Sequence, residues 1–280
     1  MLKRLVTLVS LLAAFAPAYA QQPAPQQPLT FYYDYTVKPG KEAAFLELVK
    51  TVGQPVRDKL MAEGVVLAWG IDVPVLTVPG TPTHSIWYSV ADYAGVQKVE
   101  EAMRAQRQKL AADEAARKAP RGTTTEERVL EVFDTSKSHF YLTRDLVFGL
   151  SPTPPPPGAL PYTRYNFIKV HPGKGAEYRA AWEKYNKPVF DKLLADGVIW
   201  GYGLGVEDVK TTGEFTHFVW YVAKDMTAFD KQRAAFMADR SRRSQEERDN
   251  IGALFGGLSD ADAARSIIVR AIAFHVPGQK

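Results

Sequence analysis

Two histidines are the side chains best suited to proton chemistry in this sequence. His84 and His217 each follow a threonine, and each opens a short stretch rich in aromatic and β-branched residues. A histidine at the mouth of a strand can act as a general base, stabilise an oxyanion, or ligate a metal or a haem iron. It can equally be a structural residue bonded to a neighbouring loop, and both interpretations stay open. We take these two histidines as the candidate catalytic residues.

A tryptophan–tyrosine pair follows each histidine at the same spacing. The pairs are Trp87-Tyr88 and Trp220-Tyr221. Because side chains alternate along a strand, Tyr88 shares a face with His84, whereas Trp87 lies on the opposite face beside serines that suit a hydrated cavity. Core packing is the competing interpretation. We predict that all four aromatic residues line a ligand-binding site, on a face that the pattern does not identify.

An arginine interrupts the last apolar strand of each half of the chain. Arg144 lies between leucines and Arg270 lies between isoleucines that share its strand face. An arginine on an apolar face needs a carboxylate or an anionic ligand. We predict that both arginines bind ligand, with an ion pair to Asp34 or Glu131 as the alternative.

The matched positions belong to an internal repeat. An offset of 133 positions aligns Pro39 with Pro172 and His84 with His217 without a gap. Similarity over a unit of this size indicates duplication of a whole domain. Tyr32 and Tyr165 also match, and we expect them in the core, with lining of the cavity as the alternative. Asp92 and Asp225 match too, and each is expected to cap a helix. Asp58 and Asp191 look like exposed helix residues.

Each copy has the element order β-α-β-β-α-β. The predicted strands cover residues 31–37, 65–73, 84–90 and 139–148, and then 163–170, 198–206, 217–223 and 266–274. This is the split βαβ, or ferredoxin-like, order, in which helices cover one face of an antiparallel sheet. The predicted fold class is α+β, with two ferredoxin-like modules that pair through their open sheet faces.

The ends and linkers predict export and two domains. Residues 1–20 resemble a secretory signal, with Lys3 and Arg4 before an apolar stretch and a cleavage site after Ala20. We expect a periplasmic or secreted protein with no membrane segment after cleavage. A Gln/Pro-rich leader covers 21–28, repeat 1 covers 29–150, a Pro-rich linker covers 151–161, and repeat 2 covers 162–276.

Composition excludes several kinds of site. The chain has no cysteine, so it has no disulfide or thiolate metal site. The formal net charge of +4 includes the two basic residues of the signal, so nucleic acid is not an expected partner. The sequence contains no phosphate-binding glycine loop, zinc pattern or nucleophile elbow. We expect no metal and no cofactor, with haem as an alternative.

The repeat resembles the dimeric α+β barrel superfamily, which includes NIPSNAP-like proteins and antibiotic-biosynthesis-type monooxygenases. The resemblance depends on the element order, the Pro39-Gly40-Lys41 turn, the Gly64-Val65 entry to the second strand and the Thr-His-x-x-Trp-Tyr third strand. It implies that the modules pair within one chain around a cavity, with a further homo-oligomer as an option. Members include oxygenases, haem proteins, isomerases and binding proteins, so the fold does not select a function.

Three functions follow as hypotheses. The first is binding of a small, partly apolar molecule, which is anionic if the predicted arginines bind it. The second is a cofactor-free oxygenase or isomerase in which a strand histidine is the base. The third is a structural or interaction protein without a small-molecule site.

Overall fold

Eight strands and eight α-helices make up the described part of the chain, which in this computed structural model comprises residues 27–78, 81–117, 124–209 and 213–277. The strands are β1 (Leu29–Tyr35), β2 (Val66–Pro74), β3 (His84–Val90), β4 (His139–Leu150), β5 (Tyr162–Val170), β6 (Ile199–Val209), β7 (His217–Ala223) and β8 (Ser259–His275). The helices are α1 (Glu42–Leu48), α2 (Gln54–Ala62), α3 (Tyr93–Ala116), α4 (Thr125–Val132), α5 (Gly175–Tyr185), α6 (Lys187–Ala195), α7 (Thr227–Ser241) and α8 (Gln245–Leu258). The predicted signal at 1–20 and most of the leader at 21–28 lie outside these residues.

The strands form one closed antiparallel barrel in the order β1-β3-β2-β8-β5-β7-β6-β4. Module 1 (β1–β4 and α1–α4) contributes the sheet β4-β1-β3-β2, and module 2 (β5–β8 and α5–α8) contributes β8-β5-β7-β6 in the equivalent order. Two seams close the barrel, one between β2 and β8 and one between β4 and β6. The predicted α+β fold with two paired ferredoxin-like modules is therefore confirmed.

Strand alternation divides each sheet into a helix-covered face and a barrel-facing face. In β3, His84, Ile86, Tyr88 and Val90 are buried, and the last three pack in the core beneath the module 1 helices. Trp87 points the other way, where its indole reaches Asp72 inside the barrel. The tyrosine and the tryptophan of each pair therefore face different cavities, which resolves the question of faces that the sequence left open.

Helices α4 and α8 were absent from the predicted element order. Each begins with a capping box. The side chain of the N-cap residue, Thr124 or Ser244, accepts a hydrogen bond from the backbone amide of Glu127 or Glu247. The side chain of that glutamate accepts a hydrogen bond from the backbone amide of the N-cap residue. The predicted loops over 118–127 and 241–247 are therefore partly helical, and residues 118–123 lie outside the described residues. The prediction also began β8 too late, since the strand starts at Ser259.

Asp92 is the N-cap residue of α3, whereas Asp225 lies one position before Met226, the N-cap residue of α7. The carboxylate of Asp92 accepts from the Gly95 amide at 2.9 Å, and that of Asp225 accepts from the amides of Thr227 and Ala228. Among the described helices, none has the length and apolar content needed to cross a membrane.

Candidate functional site

Of three cavities among the described residues, the largest is a cleft of about 850 Å³ between the helix-covered face of module 2 and its helices. We call it the arginine cleft. Its lining residues are Arg164, Asn166, Tyr185, Asn186, Tyr221, Phe229, Asp230, Gln232, Arg233, Phe236, Met237, Asp239, Arg240, Arg243, Arg248, Ile251 and Gly252. They come from β5, β7, the α5–α6 turn, α7 and α8, so two strands and most of the helical layer of module 2 contribute.

The cleft is open because module 2 carries polar residues where module 1 carries aromatic ones. The 133-residue offset aligns Arg164 with Phe31 and Asn166 with Tyr33. In module 1 the Phe31 ring stacks on Tyr88 with a centroid distance of 5.7 Å, and it also stacks on Tyr33 at 4.6 Å. These rings fill the space between sheet and helices. The two modules share a backbone arrangement, but module 2 lacks the two rings that occupy this space in module 1.

Positive charge dominates the cleft wall, which carries five arginines against two aspartates. Arg243 pairs with Asp239 at 2.6 Å and lies over the Tyr185 ring at 5.2 Å. Arg164 donates from Nε to the Asn166 side-chain oxygen at 3.1 Å. The exposed Arg233 and Arg240 project from α7 and have no ion-pair partner among the described residues. A wall of this kind attracts anions.

The deeper part of the cleft is apolar and aromatic. Tyr221 is buried and donates from its hydroxyl to Gln232 at 3.3 Å. Burial raises the pKa of the Tyr221 phenol, although Arg164 lowers it in part, so the group stays protonated at neutral pH. Phe229 meets the Tyr221 ring edge-on. Aromatic rings beside Arg164 on the sheet, with further arginines on the helical side, are suited to a ligand with a flat apolar body and an anionic group.

Two smaller pockets lie inside the barrel, at its opposite ends. The histidine pocket, of about 180 Å³, includes Asp34, Asp72, His84 and Arg265 in its lining. The tryptophan pocket, of about 300 Å³, includes both Trp87 and Trp220. A layer of tyrosines separates them, in which Tyr32 stacks on Tyr141 at 4.9 Å and meets Tyr165 edge-on.

Two buried carboxyls bond to the two tryptophans of the barrel interior. The Trp87 indole donates to Asp72 at 3.0 Å, and the Trp220 indole donates to Asp145 at 2.7 Å. Burial raises the pKa of Asp72 and of Asp145 to about 7 in each case, although the indole hydrogen bond acts in the opposite direction. Both carboxyls therefore change charge near neutral pH.

The predicted histidines lie at equivalent places at the mouths of β3 and β7. In both modules, Nδ1 is 3.0 Å from the hydroxyl of the preceding threonine, Thr83 or Thr216, and each threonine oxygen accepts a backbone amide of the neighbouring strand region. Burial lowers the pKa of His84, and it lowers that of His217 to about 4, so both imidazoles are neutral at pH 7. His84 borders the histidine pocket, whereas His217 packs near Tyr178 outside all three cavities described above.

The two predicted arginines have different surroundings. Arg144 pairs with Asp208 at 2.7 Å, with Tyr93 beside it, rather than with the suggested Asp34 or Glu131. Arg270 is exposed on β8. Neither lines one of the three cavities. Their role as ligand-binding residues stays a prediction.

The predicted aromatic residues separate into two groups. Tyr221 lines the arginine cleft, and its counterpart Tyr88 lies in the filled core of module 1. Trp87 and Trp220 both line the tryptophan pocket. The structure therefore brings the tryptophans of the two modules together and keeps the tyrosines apart.

Sequence reasoning missed several residues at these sites. Arg164 and Asn166 were missed because the equivalent residues of module 1 are aromatic and not polar, although this difference was itself a usable signal. Asp191 is exposed as expected, whereas Asp58 is half-buried; they accept hydrogen bonds from Tyr202 and Trp69 respectively.

No group of three or more potential metal ligands occurs among the described residues. None of the described residues that line the arginine cleft is a histidine, so this cleft has no imidazole to ligate a haem iron. A histidine-ligated haem therefore does not fit the cleft.

Solved structures show what the fold resembles. A candidate monooxygenase from Fusobacterium nucleatum has a TM-score of 0.59 and 12% identity, over 92% of this chain and 98% of that chain. A second, from Lactobacillus acidophilus, has a TM-score of 0.54 and 8% identity, over 90% and 97%. The chain has the dimeric α+β barrel fold.

At these identities the likeness extends to the fold alone. A haem-binding protein from Thermus thermophilus has a TM-score of 0.48 and 10% identity, over 88% of this chain and 91% of that chain, which is too distant to support an argument about cofactors. No family model matches the chain. No curated protein matches it either.

Proposed function

We propose that this protein binds a small anionic molecule with an aromatic or apolar body in the arginine cleft. The observation that carries the proposal is the replacement of the Phe31 and Tyr33 positions by Arg164 and Asn166, which opens module 2 and puts a cation and an amide on the exposed sheet face. A volume of about 850 Å³ lies within the range of small-molecule sites.

The cleft chemistry narrows the class of ligand. Arg233 and Arg240 can approach an anion without first breaking an ion pair to a described residue, and a guanidinium binds a carboxylate through two parallel hydrogen bonds. Tyr221 and Phe229 provide ring contacts for the ligand body. An aromatic carboxylate combines both requirements, whereas a neutral or cationic molecule would leave the arginine rim without a counter-charge.

We further propose that the two modules arose by tandem duplication and that the protein is exported. The duplication is supported by the gapless alignment at an offset of 133 residues together with the equivalent strand orders. Export is supported by the basic, apolar and small-residue segments that precede residue 21. In this arrangement the fusion keeps both barrel halves together at any dilution, and module 1 is free to fill its own cleft.

Exchanging the cleft residues for their module 1 counterparts tests the binding function. The double substitution Arg164→Phe with Asn166→Tyr is expected to abolish binding of a 1-naphthoate probe, because the new rings occupy the cleft and one cation is removed. Isothermal titration calorimetry gives the affinity, and near-ultraviolet circular dichroism reports whether the barrel remains folded. The control is Arg270→Gln, which removes an exposed arginine outside the cleft and should leave the affinity within about twofold.

Equal 1-naphthoate affinity in the double variant and the parent protein would show that the cleft is not the binding site. Loss of affinity in Arg270→Gln but not in the double variant would instead move the site to β8.

A second candidate function is proton abstraction in the histidine pocket. Its supporting observation is that His84, whose imidazole is neutral, is one of the residues at the edge of the cavity that Asp34 also lines. Burial raises the pKa of Asp34 to about 6. In this scheme either group takes a proton from a phenolic or enolic substrate, as in a cofactor-free oxygenase or isomerase.

Substitution of the two histidines separates this candidate from plain binding. His84→Gln is expected to reduce turnover of a phenolic substrate by roughly a hundredfold or more, as loss of a general base does. His217→Gln, at the equivalent place outside the pocket, should leave turnover unchanged. Oxygen uptake and substrate absorbance would measure the rates, and equal turnover in both variants would exclude His84 as the base.

A further inference from the structure

The tryptophan pocket lies where the two modules meet inside the barrel, away from the arginine cleft. Equivalent residues of the two modules line it in pairs, namely Thr30 with Thr163, Tyr32 with Tyr165, and Trp87 with Trp220. The approximate twofold axis that relates the modules therefore passes through this pocket. Both modules are needed to build it, and it forms only when the barrel is closed.

One charged group breaks the symmetry of the pocket. The Asp145 amide donates to the Pro28 carbonyl at 3.0 Å, and the Ala271 amide donates to the Pro161 carbonyl at 2.9 Å, so aspartate and alanine occupy equivalent places on β4 and β8. Asp145 is 8% exposed. A carboxyl is thus present on one side of a pocket that is otherwise nearly symmetric.

The Asp145 carboxyl has unused hydrogen-bonding capacity. Trp220 donates to Oδ1, and Oδ2 has no hydrogen-bond partner among the described residues. Burial of a carboxylate that is only partly hydrogen-bonded costs free energy. A hydrogen-bond donor of a ligand that reaches Oδ2 would therefore bind favourably. The side-chain oxygens of Thr30 and Ser89 lie 2.8 Å apart in the same lining and provide further acceptors.

The rest of the lining favours a positive charge. None of the described lining residues is a lysine, arginine or histidine, and Asp145 is the one carboxylate among them. The indoles of Trp87 and Trp220 attract cations through their ring faces. Phe148, Leu150 and Phe274 supply apolar walls toward the mouth. The anionic group of a ligand would be repelled by Asp145, and no cation among the described lining residues would compensate.

We propose that the tryptophan pocket is a second ligand site, which binds a compact apolar primary amine with its ammonium group on Asp145. The ammonium donates to Oδ2, and its remaining hydrogens reach the hydroxyl groups of the lining. The apolar body fills the space between the two tryptophans and the mouth. The site takes the opposite charge from the arginine cleft and does not depend on it.

Three probes that share a phenylethyl group and differ in their polar group test this assignment. 2-Phenylethylamine, 2-phenylethanol and 3-phenylpropionate are titrated into the whole protein, and the affinities are measured by calorimetry and by tryptophan fluorescence. The amine is expected to bind roughly tenfold or more tightly than the alcohol, and the carboxylate is expected not to bind in this pocket. The Arg164→Phe, Asn166→Tyr variant removes any contribution of the arginine cleft to the carboxylate signal.

Three variants test whether the amine lies in the tryptophan pocket. Asp145→Asn keeps an acceptor for the Trp220 indole and removes the negative charge, so amine affinity should fall by roughly tenfold or more. Asp72→Asn makes the same change in the other tryptophan–aspartate pair, whose carboxyl lines the histidine pocket, and should leave the affinity unchanged. Ala68→Leu, in the pocket wall, should block the amine by volume alone.

Several results would overturn the proposal: no amine binding to the parent protein, equal affinity in Asp145→Asn and the parent, or equal loss in Asp72→Asn and Asp145→Asn. Amine binding that survives Ala68→Leu would also place the ligand elsewhere.

Discussion

Replacement of Asp145 by asparagine is expected to raise the free energy of unfolding at pH 8 and to leave it nearly unchanged at pH 4. Burial raises the pKa of this carboxyl from an ordinary 3.8 to about 7. Between these values the folded state binds more protons than the unfolded state, so its stability falls as pH rises and is constant above about pH 7. The shift corresponds to a stabilisation of the variant on the order of 4 kcal/mol at pH 8.

Asparagine is the appropriate substitute because its side-chain oxygen still accepts from the Trp220 indole and its amide occupies the place of the protonated oxygen. Urea unfolding at several pH values between 4 and 8 gives the comparison. Asp72→Asn should show the same behaviour, since burial also raises the pKa of that carboxyl to about 7. A variant that is less stable than the parent at pH 8 would contradict the expectation.

Asp208→Asn serves as a control of opposite sign. Burial raises the pKa of Asp208, but hydrogen bonds from Arg144 and Tyr93 outweigh it, and the net pKa is lowered. A carboxylate with a lowered pKa stabilises the folded state above its unfolded pKa, and this contribution is lost as pH falls. Asp208→Asn should therefore destabilise the protein at pH 8, where Asp145→Asn stabilises it.

Gly203→Ala is expected to destabilise the protein by about 3 kcal/mol, from overpacking together with a disturbed buried hydrogen bond. A Cβ at this position would lie 2.5 Å from Nε1 of Trp220 and 2.7 Å from Cε2. The indole is rigid, so it must move away from β6, and the movement draws Nε1 away from Asp145. Thermal and urea unfolding measure the loss, and the fluorescence of the variant reports the displaced indole.

Gly252→Ala is the matched control for the added methyl group. Gly252 lies within α8. A Cβ added there would have no atom within 4 Å other than those of the adjacent residues and the backbone of its own helix. Alanine is favoured over glycine in a helix interior, so this variant should gain about 0.5–1 kcal/mol. If both glycine variants change stability by the same amount, the tight packing of Trp220 on β6 is not the cause.

The fold could be predicted largely from the repeat. Two copies of one element order, which align without a gap from Pro39 to Asp92, indicate paired ferredoxin-like modules, and β3 and β7 have the predicted bounds. Helix α4 was missed because it is short and mostly polar, and α8 was missed because its apolar half contains three glycines, which are poor helix formers. The Thr124–Glu127 and Ser244–Glu247 capping boxes were the available signal.

The candidate sites were harder to predict from the sequence than the fold. Matching residues in two copies identify what both modules need, such as the Thr-His contact between strands. The arginine cleft depends instead on Arg164 and Asn166, where the copies differ. The pKa of Asp145 depends on burial produced by closure of the barrel, and one strand considered alone contains no sign of that.

The two seams have a consequence for how the barrel folds. β4 pairs with β6, and β2 pairs with β8, which is the last of the described strands along the chain. Until β8 has paired, β2 presents an unpaired edge, which is a site for association with other incompletely folded chains. Because the β2–β8 contacts join residues far apart in sequence, closure of the barrel is expected to be the slow step of folding. A chaperone that protects an exposed strand edge would therefore act on this protein before the β2–β8 seam has formed.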